Sequence, residues 1–370
     1  MIKSFTRILR GMSASTPTAE ELVTELYRGL LEREPDAGGL RGNVAAMRAG
    51  APLAEIAKGI AGSDEFVKKS GLLRVPPSQL PDLSAEFPAR YQRLEDGTCV
   101  LALEDDDGFD WIEGQIGEHR YYDSFGVWSP TIDLDKQVIA STVAALGARN
   151  CLEIGCFTGP VLSLLHERGI DVTGIDLSHL AFVLAYPSIR SRIRFGDLLS
   201  LDLKGPFDVV LAMDILEHLN PTRLDRYLER IVSLLDQEGY LLLNSPMFGT
   251  DDVFGEVAPP HLPQWRSAGP SVYWRHLHCD ALGWPLHGHL IWASPSWWEN
   301  RLAANGLVRD REVERRMHAV LGGFFAGYAP ARKSFFVLRR ADARTPPGTR
   351  ADAVVRELAS LLSPYPEFAA

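Results

Sequence analysis

Three carboxylates carry the first chemical signal in the chain, because each closes an apolar run where a buried strand would end. Glu153 closes NCLE, Asp176 closes DVTGID and Asp197 closes RIRFGD. After the first comes the turn IGCFTGP, with Gly155 and Gly159 four apart and Pro160 heading a helix-like stretch, where its missing N–H costs nothing. A dinucleotide turn would want GxGxxG there, so that backbone can approach a pyrophosphate. Phe157 and Pro160 stand where the second and last glycines belong, which disfavours a pyrophosphate. A nucleoside without phosphate fits better. Asp176 can accept both ribose hydroxyls, Asp197 can take an adenine amino group, and Glu153 faces the pocket floor.

A second reactive cluster follows the run FDVVLAMD. In MDILEHL, Asp214 and His218 stand four apart and share a face if a helix has begun, with Glu217 beside them. We assign Asp214 and His218 as the catalytic pair, with His218 as base or orienting group. A structural role competes with this, a divalent cation is the lesser reading, and no metal ligands are assigned. Farther on, the stretch 261–302 concentrates six of the eight tryptophans and five of the ten histidines. An aromatic and imidazole lid over the reaction site is expected, with His261, Trp265, Trp274 and His276 as acceptor contacts. Tryptophan faces suit the apolar side of a pyranose ring. The HxH pairs 276/278 and 287/289 would each turn to one face of a strand; zinc ligation is the weaker reading there, and a packed insertion competes with the lid. Tyr122, with Trp128, is placed just before the sheet as a further contact.

The elements that must position these residues alternate regularly from about residue 131. Helices are expected at 133–147, 160–169, 222–236 and 296–306, with helix-like 178–186. Strands are expected at 150–155, 171–176, 192–197, 207–214, 240–246 and 333–340. Such alternation predicts an α/β unit with a largely parallel sheet covered on both faces. Upstream, Leu22, Val23, Leu26, Leu30 and Leu31 recur at helical spacing behind a Thr18/Glu21 capping box. Further helices are expected from Leu40 to Met47 and from Leu53. The organisation is then a tail at 1–17, a small all-helical domain at 18–74 and a proline-rich linker at 75–98. An α/β domain follows at 99–340, with its core from about 131 and the aromatic insert at 247–293, and then a tail at 341–370 that ends with a short helix over VVRELASLL. The acidic run at 104–110 is expected to be a solvated loop, since it lacks the register of a calcium loop.

The motifs LEIGCFTG, GIDLS, GDLL and FDVVLAMDILEHL, in this order and spacing, resemble those of class I S-adenosylmethionine-dependent methyltransferases. The resemblance covers roughly residues 130–340. It implies a Rossmann-like, doubly wound sheet of seven strands with a reversed hairpin at one edge, and S-adenosyl-L-methionine as cofactor. Carried over position by position, it implies cofactor contacts from Glu153, Gly155, Cys156, Gly159, Asp176, Leu177, Asp197, Leu198 and Met213. Phe157 departs from it, standing where most of the family keeps glycine, and is expected to pack over the turn. The segment LYRGLLEREPDAGGL…EIAKGIAGSDEF resembles a short helical bacterial domain of unknown role with an RxPDxxG signature, which recurs beside glycosyltransferases and other polysaccharide enzymes. That neighbourhood favours a hydroxyl on a small molecule, a saccharide or polysaccharide precursor, as methyl acceptor. The reading from a different class is a non-catalytic adaptor docking a glycan-assembly enzyme.

Composition bounds these readings. A formal charge of −10 disfavours gripping nucleic acid, which needs a basic footprint. Four cysteines (99, 151, 156 and 279) without CxxC spacing suit thiols in a reducing cytoplasm. The N-terminus lacks the apolar core of a signal peptide, and no stretch reaches the length of a membrane span. Residues 2–10 could touch a membrane surface as a short amphipathic helix, although a frayed end is expected. Oligomeric state is not legible.

Overall fold

The computed structural model describes residues 18–31, 33–61, 63, 65, 80–83, 90–93, 99–102, 106–119, 121, 131–178, 181, 184–259 and 280–368, and the statements below concern these. The chain divides into two units, 1–74 and 75–370.

In the first unit, helices α1 (Ala19–Leu31), α2 (Ala37–Arg48) and α3 (Leu53–Ala61) bury Val23, Leu31, Val44, Ile56 and Ile60. The capping box forms: the Glu21 N–H donates to Thr18 Oγ1 (3.2 Å), and the Thr18 N–H donates to Glu21 Oε2 (2.8 Å). The RxPDxxG residues have local physical roles. Asp36 is the N-cap of α2, accepting from the Gly38 and Gly39 N–H groups. Arg33 forks onto Glu65 and lies 5.2 Å from the Tyr27 ring centroid. Gly39 lets Tyr27 close in, since a Cβ there would fall 2.2 Å from its hydroxyl.

The second unit is built on seven strands. They are β3 (Asn150–Ile154), β4 (Asp171–Asp176), β5 (Ile193–Phe195), β6 (Phe207–Met213), β7 (Leu235–Asn244), β11 (Leu307–Arg309) and β12 (Phe335–Arg340), in the order β11-β12-β7-β6-β3-β4-β5. The five strands from β5 to β7 run parallel, while β12 is antiparallel to both β7 and β11. This is the doubly wound sheet with a reversed edge expected from the sequence. The chain order reverses between β3 and β6, so their carboxyl ends open the crevice where such sheets bind ligands. A three-stranded sheet, β1 (Arg90–Arg93), β2 (Cys99–Ala102) and β10 (Ile291–Trp292), stands apart from it, and β8 (Gly249–Asp251) pairs with β9 (Gly255–Val257) as a hairpin after β7.

Helices cover both faces. On one side α5 (Leu134–Ala145), α6 (Pro160–Glu167), α9 (Arg311–Gly327) and α10 (Ala351–Leu362) join one apolar cluster; on the other, α7 (Leu224–Leu234) and α8 (Pro295–Ala304) join a second. Two expectations are corrected here. Helix α4 (Asp106–Glu118) begins inside the acidic run read as a loop; acids suit a first helical turn, and Phe109, Ile112 and Ile116 give it a buried face. Residues 90–93, read as linker, form a strand, and Leu80 and Leu83 are buried with Ile112 and Trp284. The C-terminal tail ends in the expected helix, α10, whose Val354, Leu358 and Leu362 lie in the main core. Helix α9 and strand β11 were not foreseen. Among the described residues no helix is long and apolar enough to cross a membrane.

One buried charge network ties the β8–β9 hairpin to the sheet. The fully buried Arg309 side chain sits 4.8 Å from the Phe254 ring centroid and 4.5 Å from that of Phe336. Its guanidinium donates to Asp251, Glu314 and Glu299. Removing one partner of a buried pair strands the other charge. Arg309→Ala is therefore expected to cost about 3–5 kcal/mol, read as a lower urea midpoint; a loss below about 1 kcal/mol would show that the network is not a structural tie.

Candidate active site

The turn after β3 is held in the left-handed backbone region at three places. Gly155 has φ 69°, Phe157 φ 45° and Gly159, the N-cap of α6, φ 72°. A phenylalanine rarely takes this conformation, at a cost of about 1–2 kcal/mol. What holds it is Asp176 at the end of β4. The Phe157 N–H donates to its Oδ2 (2.7 Å) and the Ser178 N–H to its Oδ1 (2.7 Å). The family's glycine preference at this position is thus a backbone preference, offset here by a charge-assisted hydrogen bond. The side chain against Gly155 is Ile215, from the turn after β6, and not Phe157. A Cβ on Gly155 would fall 2.0 Å from Ile215 Cδ1.

Glu153 lies beneath this turn, 1% exposed, and neither carboxylate oxygen has a hydrogen bond among the described residues. Burial, reinforced by the charge of Asp176, pushes its carboxyl well above the ordinary range; Lys136 pulls the other way. That ammonium is itself buried, bonded to Asp133 (3.1 Å) at the start of α5. A buried, unpartnered carboxyl is costly alone and suits a ligand that brings a cation. The Thr158 hydroxyl, in the same turn, is also buried without a partner. After β5, Asp197 accepts from the Leu199 N–H (2.8 Å) and the Tyr227 hydroxyl (2.9 Å), which fixes its orientation. Leu177, 59% exposed, presents an apolar face beside Asp176.

After β6 the chain turns through Asp214, itself left-handed at φ 55°, into a short 3-10 turn, Leu216–His218. No α-helix begins there, so Asp214 and His218 do not share the helical face expected of them. Asp214 is bound by Arg332, a buried guanidinium that also donates to Asp135 and Asn244. That pairing fixes the Asp214 carboxyl against the buried guanidinium. His218 turns the other way. Its Nδ1 lies 3.1 Å from the Gly288 carbonyl, which as N–H donor leaves Nε2 as the basic nitrogen. Burial foremost lowers its pKa to about 4, so it is neutral at pH 7.

The same segment delivers a third group. The Leu290 N–H donates to the Glu217 carbonyl (2.8 Å), and this docks His289 edge-on to His218, ring centroids 4.7 Å apart. One ligand atom from each of Glu217, His218 and His289 lies within 4.8 Å of the others. Glu217 is fully buried, and neither its carboxylate nor the neighbouring Ser245 hydroxyl makes a hydrogen bond of ordinary geometry. Burial first, then the Asp214 charge, pushes the Glu217 carboxyl well above its usual value. Two imidazoles and a carboxylate are a common divalent-cation set that leaves coordination positions open. A small inward movement would reach the spacing of about 3.3 Å that ligands at about 2.0–2.1 Å from a tetrahedral metal require. The sequence reading assigned no metal ligands, because nothing at the sequence level placed His289 beside Glu217.

The other expected residues divide cleanly. Cys156 turns away from the pocket: its thiol is buried against Gly174, and its N–H is taken by the Ile175 carbonyl. Leu198 and Met213 are buried, each in one of the two apolar clusters. His287 has φ 57° in a 3-10 turn and is exposed, while His289 is buried, so this HxH pair does not lie on one face of a strand. Trp284, Trp292 and Trp298 are fully buried core residues rather than a lid; Trp284 stacks on Tyr121 at 5.0 Å and its Nε1–H donates to the Pro81 carbonyl. Tyr122, Trp128, His261, Trp265, Trp274 and His276 lie outside the described residues. The geometry at the turn makes a specific demand. Gly155→Ala is expected to lower the melting temperature; adding Ile215→Ala should restore the steric part and leave about 1–2 kcal/mol of left-handed strain. Strict additivity of the two changes would show that Ile215 is not the obstacle.

Residues 133–308 match the family described as a methyltransferase domain, and residues 10–70 match a domain of unknown function, DUF4214. Curated relatives include the ubiquinone biosynthesis O-methyltransferases of Pseudomonas aeruginosa (strain UCBPP-PA14), 27% identical over 31% of this chain and 53% of the relative, and of Xanthomonas campestris pv. campestris (strain B100), 31% identical over 34% and 56%. The chain thus spans about half the length of these relatives. Among solved structures, the Burkholderia thailandensis 1,6-didemethyltoxoflavin-N1-methyltransferase aligns over 68% of this chain and 97% of its own at 17% identity and TM-score 0.40. The CcbJ methyltransferase from Streptomyces caelestis aligns over 59% and 95% at 19% and 0.37. The strand order, the left-handed turn and the acids at three strand ends accord with that match: residues 133–308 form a methyltransferase domain.

Proposed function

We propose that the chain binds S-adenosyl-L-methionine and transfers its methyl group to a hydroxyl of a small molecule. The observation that carries this is the set of three carboxylates at the ends of adjacent parallel strands, with Glu153 buried and unpartnered beside the left-handed turn. Asp176 receives the ribose hydroxyls through oxygen lone pairs beyond those used by backbone. Asp197 and the exposed Leu177 flank the adenine, and Glu153 meets the methionyl ammonium. In the transfer an acceptor oxygen attacks the methyl carbon, the C–S bond breaks, and sulfur keeps the electron pair as a neutral thioether. Holding oxygen, methyl and sulfur in line can supply roughly 7–11 kcal/mol.

A hydroxyl is a weak nucleophile, so its proton must be drawn off. His218, with its basic Nε2, replaces the expected Asp214–His218 pair as the centre of that function. Glu217, His218 and His289 together would hold a divalent cation, which lowers the pKa of a bound hydroxyl when present. Chelation followed by Zn²⁺ or Mn²⁺ readdition is expected to abolish and restore turnover, and His289→Ala should lose most of it while still binding S-adenosylhomocysteine. Turnover unchanged by chelator would leave His218 as a base acting without metal.

The acceptor we favour is a saccharide or polysaccharide precursor, supported by the company the N-terminal domain keeps. The curated relatives, named for O-methylation in ubiquinone biosynthesis, support a phenolic ring as the second reading. Activity on free sugars and glycosides against catechols separates the two. Isothermal titration separates the enzyme from the adaptor. Micromolar binding of S-adenosylmethionine, lost in an Asp176→Ala variant that stays folded by circular dichroism, supports the enzyme; silence of a folded wild-type protein supports the adaptor.

A further inference from the structure

Beside the methyl-transfer site, at the carboxyl end of β7, lies a cavity of about 280 Å³. Its lining includes Pro246, Met247, Val257, Pro259 and Pro330, with Lys333 and Glu256 as its two ionisable residues. It borders the site through two short connections. Ser245, whose hydroxyl faces Glu217, immediately precedes Pro246 and accepts at its carbonyl from Ser334 Oγ (3.1 Å). Arg332, which binds Asp214, lies between Pro330 and Lys333 in one tightly turned segment. Asn244 clamps that segment, donating to the Ala331 and Ser334 carbonyls. The segment thus turns one cation toward the carboxylates of the transfer site and the next toward the cavity.

We propose that this cavity is the acceptor subsite, shaped for a single six-membered ring and selecting an anionic substituent through Lys333. The inference rests on the methyltransferase reading and names the substrate class within it. Size supports one ring: the volume falls just below the range of about 300–1,000 Å³ that holds drug-sized ligands. Prolines and aliphatic side chains give flat apolar walls suited to a ring face. Charge supports an anion. Lys333 Nζ donates to the Glu256 backbone carbonyl (2.6 Å), and among the described residues no carboxylate pairs with it. Its own backbone is fixed, because the carbonyl lies 3.0 Å from His318 Nε2. An ammonium oriented by the Glu256 backbone carbonyl, and making no ion pair with a described carboxylate, that of Glu256 included, suits a carboxylate or a phosphate equally.

The test uses the full chain with S-adenosylmethionine and two matched series of acceptors: glucose, glucuronate and glucose 1-phosphate, and catechol with 3,4-dihydroxybenzoate. Methylation and saturation-transfer NMR with bound S-adenosylhomocysteine are both read. Within at least one series the anionic member is expected to have the lower KM, and the carboxylate and phosphate arms tell the two anions apart. Lys333→Gln should raise that KM about tenfold, the scale of one charged hydrogen bond, and leave kcat, the neutral member's KM and cofactor affinity unchanged. Lys333→Glu should raise it further, and Ala331→Phe, which narrows the cavity, should weaken both members. Equal use of neutral and anionic members, or a Lys333→Gln effect shared by both, would overturn the inference. So would cofactor binding with no probe bound or methylated. Failure of S-adenosylhomocysteine itself to bind would instead remove the methyltransferase reading, and the subsite with it.

Discussion

The domain depends on one carboxylate accepting two backbone N–H groups. Asp176, at the end of β4, takes hydrogen bonds from Phe157 in the turn after β3 and from Ser178 in its own continuation. The first of these holds a bulky residue in left-handed backbone, and so decides the path by which the chain leaves β3 for α6. Everything that faces the crevice follows from that path: Glu153 below it, Ile215 against Gly155, and Gly159 at the helix start. Charge-assisted bonds of this kind are among the stronger ones available to a half-buried loop. The same oxygens meet the ribose in the proposed complex, so folding the turn and reading the nucleoside draw on a single group.

A second tier of buried charge arranges the acceptor side. Arg332 gathers Asp135, Asp214 and Asn244, joining α5 to the carboxyl ends of β6 and β7. Arg309 fastens the β8–β9 hairpin through Asp251. Buried pairs of this sort add little net stability, but they are intolerant of losing a partner. Their effect is positional. They fix the walls of the crevice while leaving Glu153 and Glu217 as the two buried carboxyls whose oxygens lack hydrogen bonds among the described residues. Those two groups mark where charge from outside the chain is wanted: an ammonium at the first, and a cation or a proton-bearing hydroxyl at the second.

Much of this was legible in the sequence, for a physical reason. Parallel strands buried on both faces must be continuous apolar runs, so NCLEI, FDVVLAM and YLLLN announced themselves, and the acids at strand ends were conspicuous as the first polar residues. The Thr18/Glu21 cap was equally local. Long-range contacts were not legible. His289 reaches Glu217 through a backbone hydrogen bond made by Leu290 across more than seventy positions, and Arg332 reaches Asp214 across 118. Tryptophan-rich composition suggested a lid, yet Trp284, Trp292 and Trp298 serve as core; large apolar payload is ambiguous between the two until packing is known. The acidic start of α4 misled because acids fit a solvated loop and a first helical turn alike.

The central claim is that the acids at the tips of β3, β4 and β5 form one adenosine and methionine site. A structure of the chain with S-adenosylhomocysteine tests it most directly. The ribose hydroxyls should lie within hydrogen-bond distance of Asp176, the amino group of the homocysteine should meet Glu153, and the sulfur should point toward Glu217 and His218. A ligand seated elsewhere, or one whose sulfur faces away from that cluster while Glu153 stays unpartnered, would contradict the account.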